Sequence, residues 1–334
     1  MLDRMRKCCF VANEIAKGRE EKVFSENKIA VGLAPMAGFT DLAFRKICAE
    51  NGADFAVTEM VSAKGLYYNN EKTEGLLNLT GNIPEGAQLF GSETEPLTVA
   101  ADFVAKNFAP AFIDFNMGCP VNKIVNSGDG ASLLKNLNKA LSCVKAVING
   151  AGKTPVTVKF RLGFDSVLNE LPDFAKELEA LGVSALFVHG RTAKQMYMPP
   201  VDYAPIAKIA KNVSIPVFAN GDINSAEKAV EVLKITGAKG LLIGRAALGN
   251  PFIFSEIKAA INGKSVEFSA EKTVKTALKQ LDYAVCDKGE RRAVREARSQ
   301  LAFYLKGLPH AAEKRRLLSE ANTKEDVIKI FTEQ

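Results

Sequence analysis

The most informative stretch of this chain is a short apolar run followed by a cysteine: Ala111-Phe112-Ile113-Asp114-Phe115-Asn116-Met117-Gly118-Cys119-Pro120. The run 111–115 predicts a strand, which Gly118 and Pro120 stop. Cys119 therefore lies where the strand opens into a loop. A free cysteine is more often a small buried hydrophobe than a reactive group. The rest of the sequence has to decide its role.

Eight runs of strand length, this one among them, recur along the chain: Ile29–Ala34, Phe55–Thr58, Ala87–Phe90, Phe112–Phe115, Val156–Phe160, Ala185–Val188, Pro216–Ala219 and Gly240–Ile243. Most are continuous rather than alternating, and amphipathic segments lie between them, which is typical of parallel strands buried on both faces. We expect a closed (β/α)₈ TIM barrel over residues 29–262. A doubly wound sheet is less favoured, because no GxGxxG follows the first strand.

The strand signal ends at about Ser269. Four helical patterns follow: Glu271–Val285, Arg291–Leu305, Ala311–Leu318 and Lys324–Phe331. They predict a small all-helical domain over residues 268–334, after a linker near residues 262–265. Residues 1–28 form a mixed-charge N-terminal extension to which we assign no role.

Composition limits the class of protein. The 334 residues are 47% hydrophobic and 25% charged, which is ordinary for a soluble globular protein. Six cysteines without CxxC pairs, together with two histidines, do not predict a metal site. No run reaches the roughly 18 apolar residues of a membrane span. We expect a cytoplasmic monomer with neither metal nor membrane attachment.

The formal net charge of +6 is concentrated near the C-terminus. Between Asp287 and Arg316 stand nine basic and four acidic residues. Four of the basic residues recur at helical spacing and form one stripe: Lys288, Arg291, Arg295 and Arg298. Such a stripe is typical either of an RNA-binding face or of a solvated helix face.

Polar residues stand at the predicted strand ends, and in a TIM barrel the carboxyl ends of the strands carry the active site. In chain order these residues are Pro35 and Met36, Glu59, Gln88, Asn116 and Cys119, Lys159 and Arg161, His189 and Arg191, Asn220 to Asp222, and Gly244 and Arg245. The turns after the last two strands place a glycine before a helix. They favour a phosphate site over simple tight turns.

Lys159 lies within an apolar strand, where an ammonium group is costly to bury unless it meets an anion or loses its proton. Three interpretations stay open from the residues alone. Lys159 could neutralise a reduced cofactor, form a Schiff base as in an aldolase, or make a structural ion pair with Glu59.

Taken in order, the motifs resemble the tRNA-dihydrouridine synthase family, nearest to its bacterial B-type branch. The resemblance covers about residues 29–260 and continues more weakly into the helical domain. Its motifs are Ala34-Pro35-Met36-Ala37-Gly38-Phe39-Thr40-Asp41, Gln88-Leu89-Phe90-Gly91, Asn116-Met117-Gly118-Cys119-Pro120 with Lys123, Val158-Lys159-Phe160-Arg161, Val188-His189-Gly190-Arg191-Thr192, Asn220-Gly221-Asp222-Ile223 and Gly244-Arg245-Ala246.

This resemblance implies an FMN enzyme that reduces the C5–C6 bond of a uridine in tRNA, with NADPH as reductant. Cys119 would donate a proton to C5 after hydride transfer from flavin N5 to C6, since a thiol with a pKa of about 8.5 is mostly protonated at neutral pH. The remaining roles would be divided as follows: Asn116, Arg161, Lys123, Arg291, Arg295 and Arg298 for tRNA; Pro35, Met36, Gln88, Lys159 and His189 for the flavin ring; Asn220, Gly221, Asp222, Gly244 and Arg245 for the ribityl chain and phosphate.

The chain departs from the family pattern at two places. Arg298-Ser299-Gln300 and Phe303-Tyr304 stand where relatives usually carry Arg-Lys-His and Trp-Tyr. In the loop after the sixth strand, Pro199 and Tyr203 stand where glycine and tryptophan are usual. Two other functions remain as alternatives: a Schiff-base aldolase that uses Lys159, and a flavin-binding or RNA-binding protein without catalysis.

Overall fold

The computed structural model describes residues 29–70 and 74–333. The predicted N-terminal extension lies outside them. The strands are β1 Ala30–Leu33, β2 Phe55–Val57, β3 Val61–Ser62, β4 Glu85–Phe90, β5 Phe112–Met117, β6 Val156–Arg161, β7 Ala185–His189, β8 Val217–Asn220 and β9 Gly240–Ile243. All pair in parallel, in the order β2-β1-β9-β8-β7-β6-β5-β4-β3.

A pairing between β2 and β4 closes the sheet, with Ala56 opposite Glu85 and Val57 opposite Gly86. The expected barrel is therefore confirmed, and the doubly wound alternative is wrong. All eight predicted strands are present. The ninth, β3, continues the path of β2 and pairs with the end of β4. Its two residues are too short for the periodicity of the sequence to reveal.

Helices surround the barrel and then form a separate cluster: α1 Leu42–Glu50, α2 Ala63–Tyr67, α3 Thr94–Phe108, α4 Asn122–Val125, α5 Leu137–Ala151, α6 Leu171–Ala180, α7 Ala204–Asn212, α8 Ala226–Thr236, α9 Ile253–Ile261, α10 Ala270–Lys288, α11 Glu290–Gln300, α12 Ala311–Glu320 and α13 Lys324–Thr332. The four predicted C-terminal helices correspond to α10–α13. The predicted second one ends early, because Leu301–Phe303 form a 3₁₀ turn. In the described ranges, no helix is long and apolar enough to cross a membrane.

Aromatic rings fill the interior of the barrel toward the starts of its strands. Phe55, Phe112, Phe187 and Phe218 pack edge-to-face or stacked, with centroids 5.2 to 6.2 Å apart. Glycines on neighbouring strands make room for three of these rings, since a Cβ at these positions would overlap them: Gly32, Gly86 and Gly240. This layer closes one end of the barrel, so that the polar residues gather at the other.

The C-terminal helices have their own apolar core and dock on α1. Small side chains make the contact, with Ala43 of α1 packed against Ala284 and Ala293. Beside them, Lys288 Nζ lies 2.6 Å from Asp41 Oδ2. Asp41 is also the N-cap of α1 and accepts a hydrogen bond from the backbone N–H of Phe44. One carboxylate thus starts α1 and ties the helical cluster to the barrel.

Candidate active site

A cavity of about 760 Å³ opens at the carboxyl ends of the strands, within the range of about 300–1,000 Å³ that ligand sites occupy. It brings together every residue that the sequence assigned to the cofactor: Pro35, Met36, Gln88, Lys159, His189, Asn220, Gly221, Asp222, Gly244 and Arg245. Asn116, Cys119 and Arg161 line the same cavity. Lys123, Arg291, Arg295 and Arg298 do not belong to its lining.

The loop that carries Cys119 is fixed by the side chain of Asn116. Its Oδ1 accepts hydrogen bonds from the backbone N–H groups of Gly118 at 3.0 Å and Cys119 at 2.9 Å. On the far side, the N–H of Ala131 donates to the carbonyl of Cys119 at 3.0 Å. Gly130 has a φ of +58°, and a Cβ there would lie only 2.8 Å from that carbonyl. The thiol is therefore held half-buried at the edge of the cavity.

Arg161 reaches across the mouth of the barrel to three backbone carbonyls. Its Nε donates to Gly118 at 2.8 Å, and its Nη1 donates to Thr192 at 2.9 Å and to Met196 at 2.8 Å. The side chain is buried. It therefore joins the Cys119 loop to the loop that follows β7. The sequence assigned Arg161 to the substrate and gave no sign of this bracing.

Two basic side chains line the cavity, the half-buried Lys159 and the buried His189. Burial, assisted by the charge of Arg161, lowers the pKa of Lys159 to about 8. Burial and the neighbouring cations lower the pKa of His189 well below its usual value, so the imidazole is neutral at neutral pH. Lys159 donates to Oδ1 of Asn220 at 3.3 Å. In the described ranges Glu59 is not its partner; that carboxylate accepts from the N–H of Gly38.

Asp222 is the central side chain at the end of the cavity where a phosphate was predicted from the sequence. This carboxylate lies 2.5 Å from Arg191 Nη2 and 2.8 Å from Arg245 Nη2. The hydrogen bond from Arg191 is the main cause of its lowered pKa. Four cationic side chains and a single carboxylate line the cavity, the cations being Lys159, Arg161, Arg191 and Arg245. Such a lining favours an anionic ligand.

Aromatic side chains form the rim of the cavity, and they were not among the site residues predicted from the sequence. The exposed Tyr197 lies with its ring 4.6 Å from the guanidinium carbon of Arg245. Phe303 of the helical cluster packs edge-on against Phe39 of the barrel, with ring centroids 5.8 Å apart. Phe303 is 43% exposed despite this contact. An exposed aromatic between two methionines, as in 196–198, is the one signal that could have revealed Tyr197.

The four residues of the predicted basic stripe differ in their surroundings: two are exposed and two have protein partners. Arg291 and Arg295 are exposed on α11. Lys288 is bound to Asp41 and Glu296, and Arg298 donates to the carbonyl of Ala321 at 3.0 Å. Lys123 is exposed on α4, close along the chain to Cys119. Three of these cations, namely Lys123, Arg291 and Arg295, therefore face solvent.

Cavities at the carboxyl ends of the strands are where enzymes of the (β/α)₈ class carry out their chemistry, and this fold and cavity define a member of that class. The chain belongs to the dihydrouridine synthase family, whose model matches residues 32–334. In the part of the chain that the structure describes, no group of three or more potential metal ligands occurs.

Three relatives illustrate the likeness, and all are named tRNA-dihydrouridine synthase B. The chain is 40% identical over 290 residues to that of Pseudomonas syringae pv. tomato, with 86% of each chain covered. It is 37% identical over 300 residues to that of Xanthomonas campestris pv. campestris, covering 88% of this chain and 89% of the relative. Against that of Pseudomonas aeruginosa, the identity is 40% over 284 residues, with 84% and 85% covered.

Proposed function

We propose that this dihydrouridine synthase reduces the C5–C6 double bond of uridines in tRNA, with flavin mononucleotide in the barrel cavity and NADPH as the reductant. The observation that carries the proposal is the Cys119 thiol, held half-buried at the edge of a cationic cavity. The names of the relatives support tRNA as the substrate.

The lining of the cavity fits flavin mononucleotide. The ligand is an anion through its phosphate, and four cations face one carboxylate in the lining. Arg245 begins a 3₁₀ turn directly after β9, and the turns after the last two strands of such barrels commonly hold phosphate. Lys159, His189 and Gln88 would contact the ring, and Asp222 and Arg245 the phosphate end. When bound, flavin mononucleotide supplies the hydride for C6 of the uracil.

The chain itself supplies the proton. Burial raises the pKa of the Cys119 thiol, which therefore stays protonated at neutral pH and can donate its proton to C5. The two hydrogen bonds from the loop to Asn116 hold the sulfur at the edge of the cavity. The carbonyl oxygen of Asn116 accepts from this loop, and its amide nitrogen donates to Gln88 at 2.8 Å and faces Met60 Sδ at 3.7 Å. It would contact uracil through the N–H that faces this sulfur.

A uridine in folded tRNA has to leave its stack before it can enter the mouth of a barrel. We assign the helical domain, residues 268–334, to tRNA binding. Arg291 and Arg295 expose two guanidinium groups on α11 for phosphates. Phe303 brings the same domain to the rim of the cavity. Lys123 is exposed on α4, close along the chain to Cys119, where it would meet the tRNA backbone.

The proposal is tested by incubating tRNA that lacks dihydrouridine with the purified protein and NADPH, followed by mass spectrometry of the nucleosides. The expected product is dihydrouridine, at a rate that depends on added NADPH and on bound flavin. A flavin-loaded protein that forms no dihydrouridine with any uridine-containing tRNA would contradict the proposal. Gel filtration tests the predicted monomer separately.

A further inference from the structure

A chain of hydrogen bonds leads from a buried carboxylate to the loop of Cys119. Asp114 lies in β5, in register with Gln88 of β4 and Thr157 of β6. Its Oδ2 accepts from Gln88 Nε2 at 2.6 Å, and its Oδ1 accepts from the Thr157 hydroxyl at 2.7 Å. Gln88 Oε1 then accepts from Asn116 Nδ2 at 2.8 Å. Asn116 Oδ1 accepts from the N–H groups of the Cys119 loop.

The two ends of this chain fix the direction of both amides between them. In its ionised form Asp114 can only accept hydrogen bonds, so Gln88 has to present its nitrogen to it. Its oxygen then faces Asn116, which has to present its own nitrogen and turn its oxygen toward the loop. If both amides were reversed, the oxygen of Gln88 would face the carboxylate of Asp114, and the amide nitrogen of Asn116 would face the N–H groups of the loop. The orientation of Asn116 is therefore fixed from both ends of the chain, by the N–H groups of the loop and, through Gln88, by Asp114.

Packing alone does not account for a carboxylate at this position. Asp114 is fully buried, and the transfer of an ionised carboxylate out of water costs free energy. Burial accordingly raises its pKa to about 7. An apolar side chain of similar volume would fill the space, but it would leave the Nε2 of Gln88 without its acceptor at a cost of about 1–3 kcal/mol.

We propose that Asp114 is a positioning residue for Cys119, which it holds in place through Gln88 and Asn116. The proposal rests on the proposed role of Cys119 as proton donor. Asp114 does not itself line the cavity, and it acts on the Cys119 loop only through Gln88, which does line it. Its effect is to keep the Asn116 oxygen turned toward the loop, so that the thiol stays at one point on the rim of the cavity.

The test is the rate at which iodoacetamide alkylates Cys119 in the full-length protein as purified, followed by mass spectrometry of its peptide, with the exposed Cys286 as internal reference. In Asp114→Leu the hold of Asn116 on the loop is loosened, and we expect Cys119 to react about tenfold faster relative to Cys286, the change that about 1.4 kcal/mol produces. Asp114→Asn should react like the wild type, because the oxygen of the substituted amide can accept from Gln88 while its nitrogen donates to the Thr157 hydroxyl.

Asp54→Leu is the matched control, since this carboxylate also accepts two hydrogen bonds, from Val31 and Lys258, but at the closed end of the barrel. It should leave the rate at Cys119 unchanged. If Asp114→Leu does not fold, Gln88→Leu breaks the same chain and should give the same acceleration. A folded Asp114→Leu or Gln88→Leu whose Cys119 reacts at the wild-type rate would overturn the proposal. The assay needs neither tRNA nor NADPH, so its failure is distinct from failure of the proposed function.

Discussion

Arg161 Nε lies 2.8 Å from the carbonyl oxygen of Gly118, the residue before Cys119. The same guanidinium donates to two carbonyls of the loop that carries Tyr197. Two loops that would meet the substrate are thus joined by one side chain from β6. This relationship assigns to Arg161 a bracing role in addition to the contact with substrate predicted from the sequence.

Arg161→Lys should lower kcat for tRNA reduction by about tenfold to a hundredfold. A lysine cannot present the planar set of donors that spans three carbonyls, and a hydrogen bond to a charged group contributes about 1.5–3 kcal/mol. Single-turnover kinetics with saturating tRNA measure the effect. Arg292→Lys, which alters an exposed pair with Glu296, is the control and should retain activity.

Lys288→Met should destabilise the protein by about 3–5 kcal/mol, because it leaves Asp41 without its buried partner. The side chain of Lys288 is only 8% exposed in this pair. Lys275→Met removes a pair with Glu271 in which both side chains are 74% exposed, and it should leave the stability nearly unchanged. Urea unfolding of the two variants measures both changes. Equal losses would show that the contact between α1 and α10 does not depend on Lys288.

His189 should make stability fall as the medium is acidified. Its folded pKa is well below 6.5, so below pH 6.5 the unfolded chain binds a proton that the folded chain does not. The free energy of unfolding should therefore decrease by up to about 1.4 kcal/mol per pH unit between pH 6.5 and 5. In flavin-free protein, His189→Gln should remove this part of the slope. Identical slopes in the two proteins would mean that His189 titrates normally when folded.

Arg291→Glu combined with Arg295→Glu should weaken tRNA binding and flatten its dependence on salt, because fewer phosphate counterions are released on binding. Filter binding at several salt concentrations provides the measurement. Lys239→Glu changes an exposed cation just before β9, at the closed end of the barrel, and should leave binding unchanged. Should the double variant bind like the wild type, α11 would be only a solvated face.

The barrel and its cavity could be predicted from sequence because each depends on local patterns. Continuous apolar runs specify the strands, and the (β/α)₈ topology then brings Gln88, Lys159 and His189 together at one end without further information. The residues that the sequence analysis assigned to a cofactor could be brought to one cavity for the same reason.

The ion-pair and hydrogen-bond partners of the polar residues could not be predicted, because they depend on distances between segments that are far apart in the sequence. Lys288 continues the spacing of the basic stripe, yet it is bound to Asp41, a residue far away in the sequence. Asp114 reads as part of an apolar strand, and only the register of β4, β5 and β6 places it beside Gln88 and Thr157. Such pairings are properties of the folded chain rather than of any segment.

Cys119→Ala provides the most direct test of the proposed proton donor. The variant should bind flavin as the wild type does, because Cys119 lies at the edge of the cavity and the cationic lining is retained. It should nevertheless form dihydrouridine about a hundredfold to ten-thousandfold more slowly, the range expected when a general acid is lost. The measurement is dihydrouridine formed per bound flavin with excess NADPH. A wild-type rate in a flavin-loaded Cys119→Ala would contradict the assignment of the proton to this thiol.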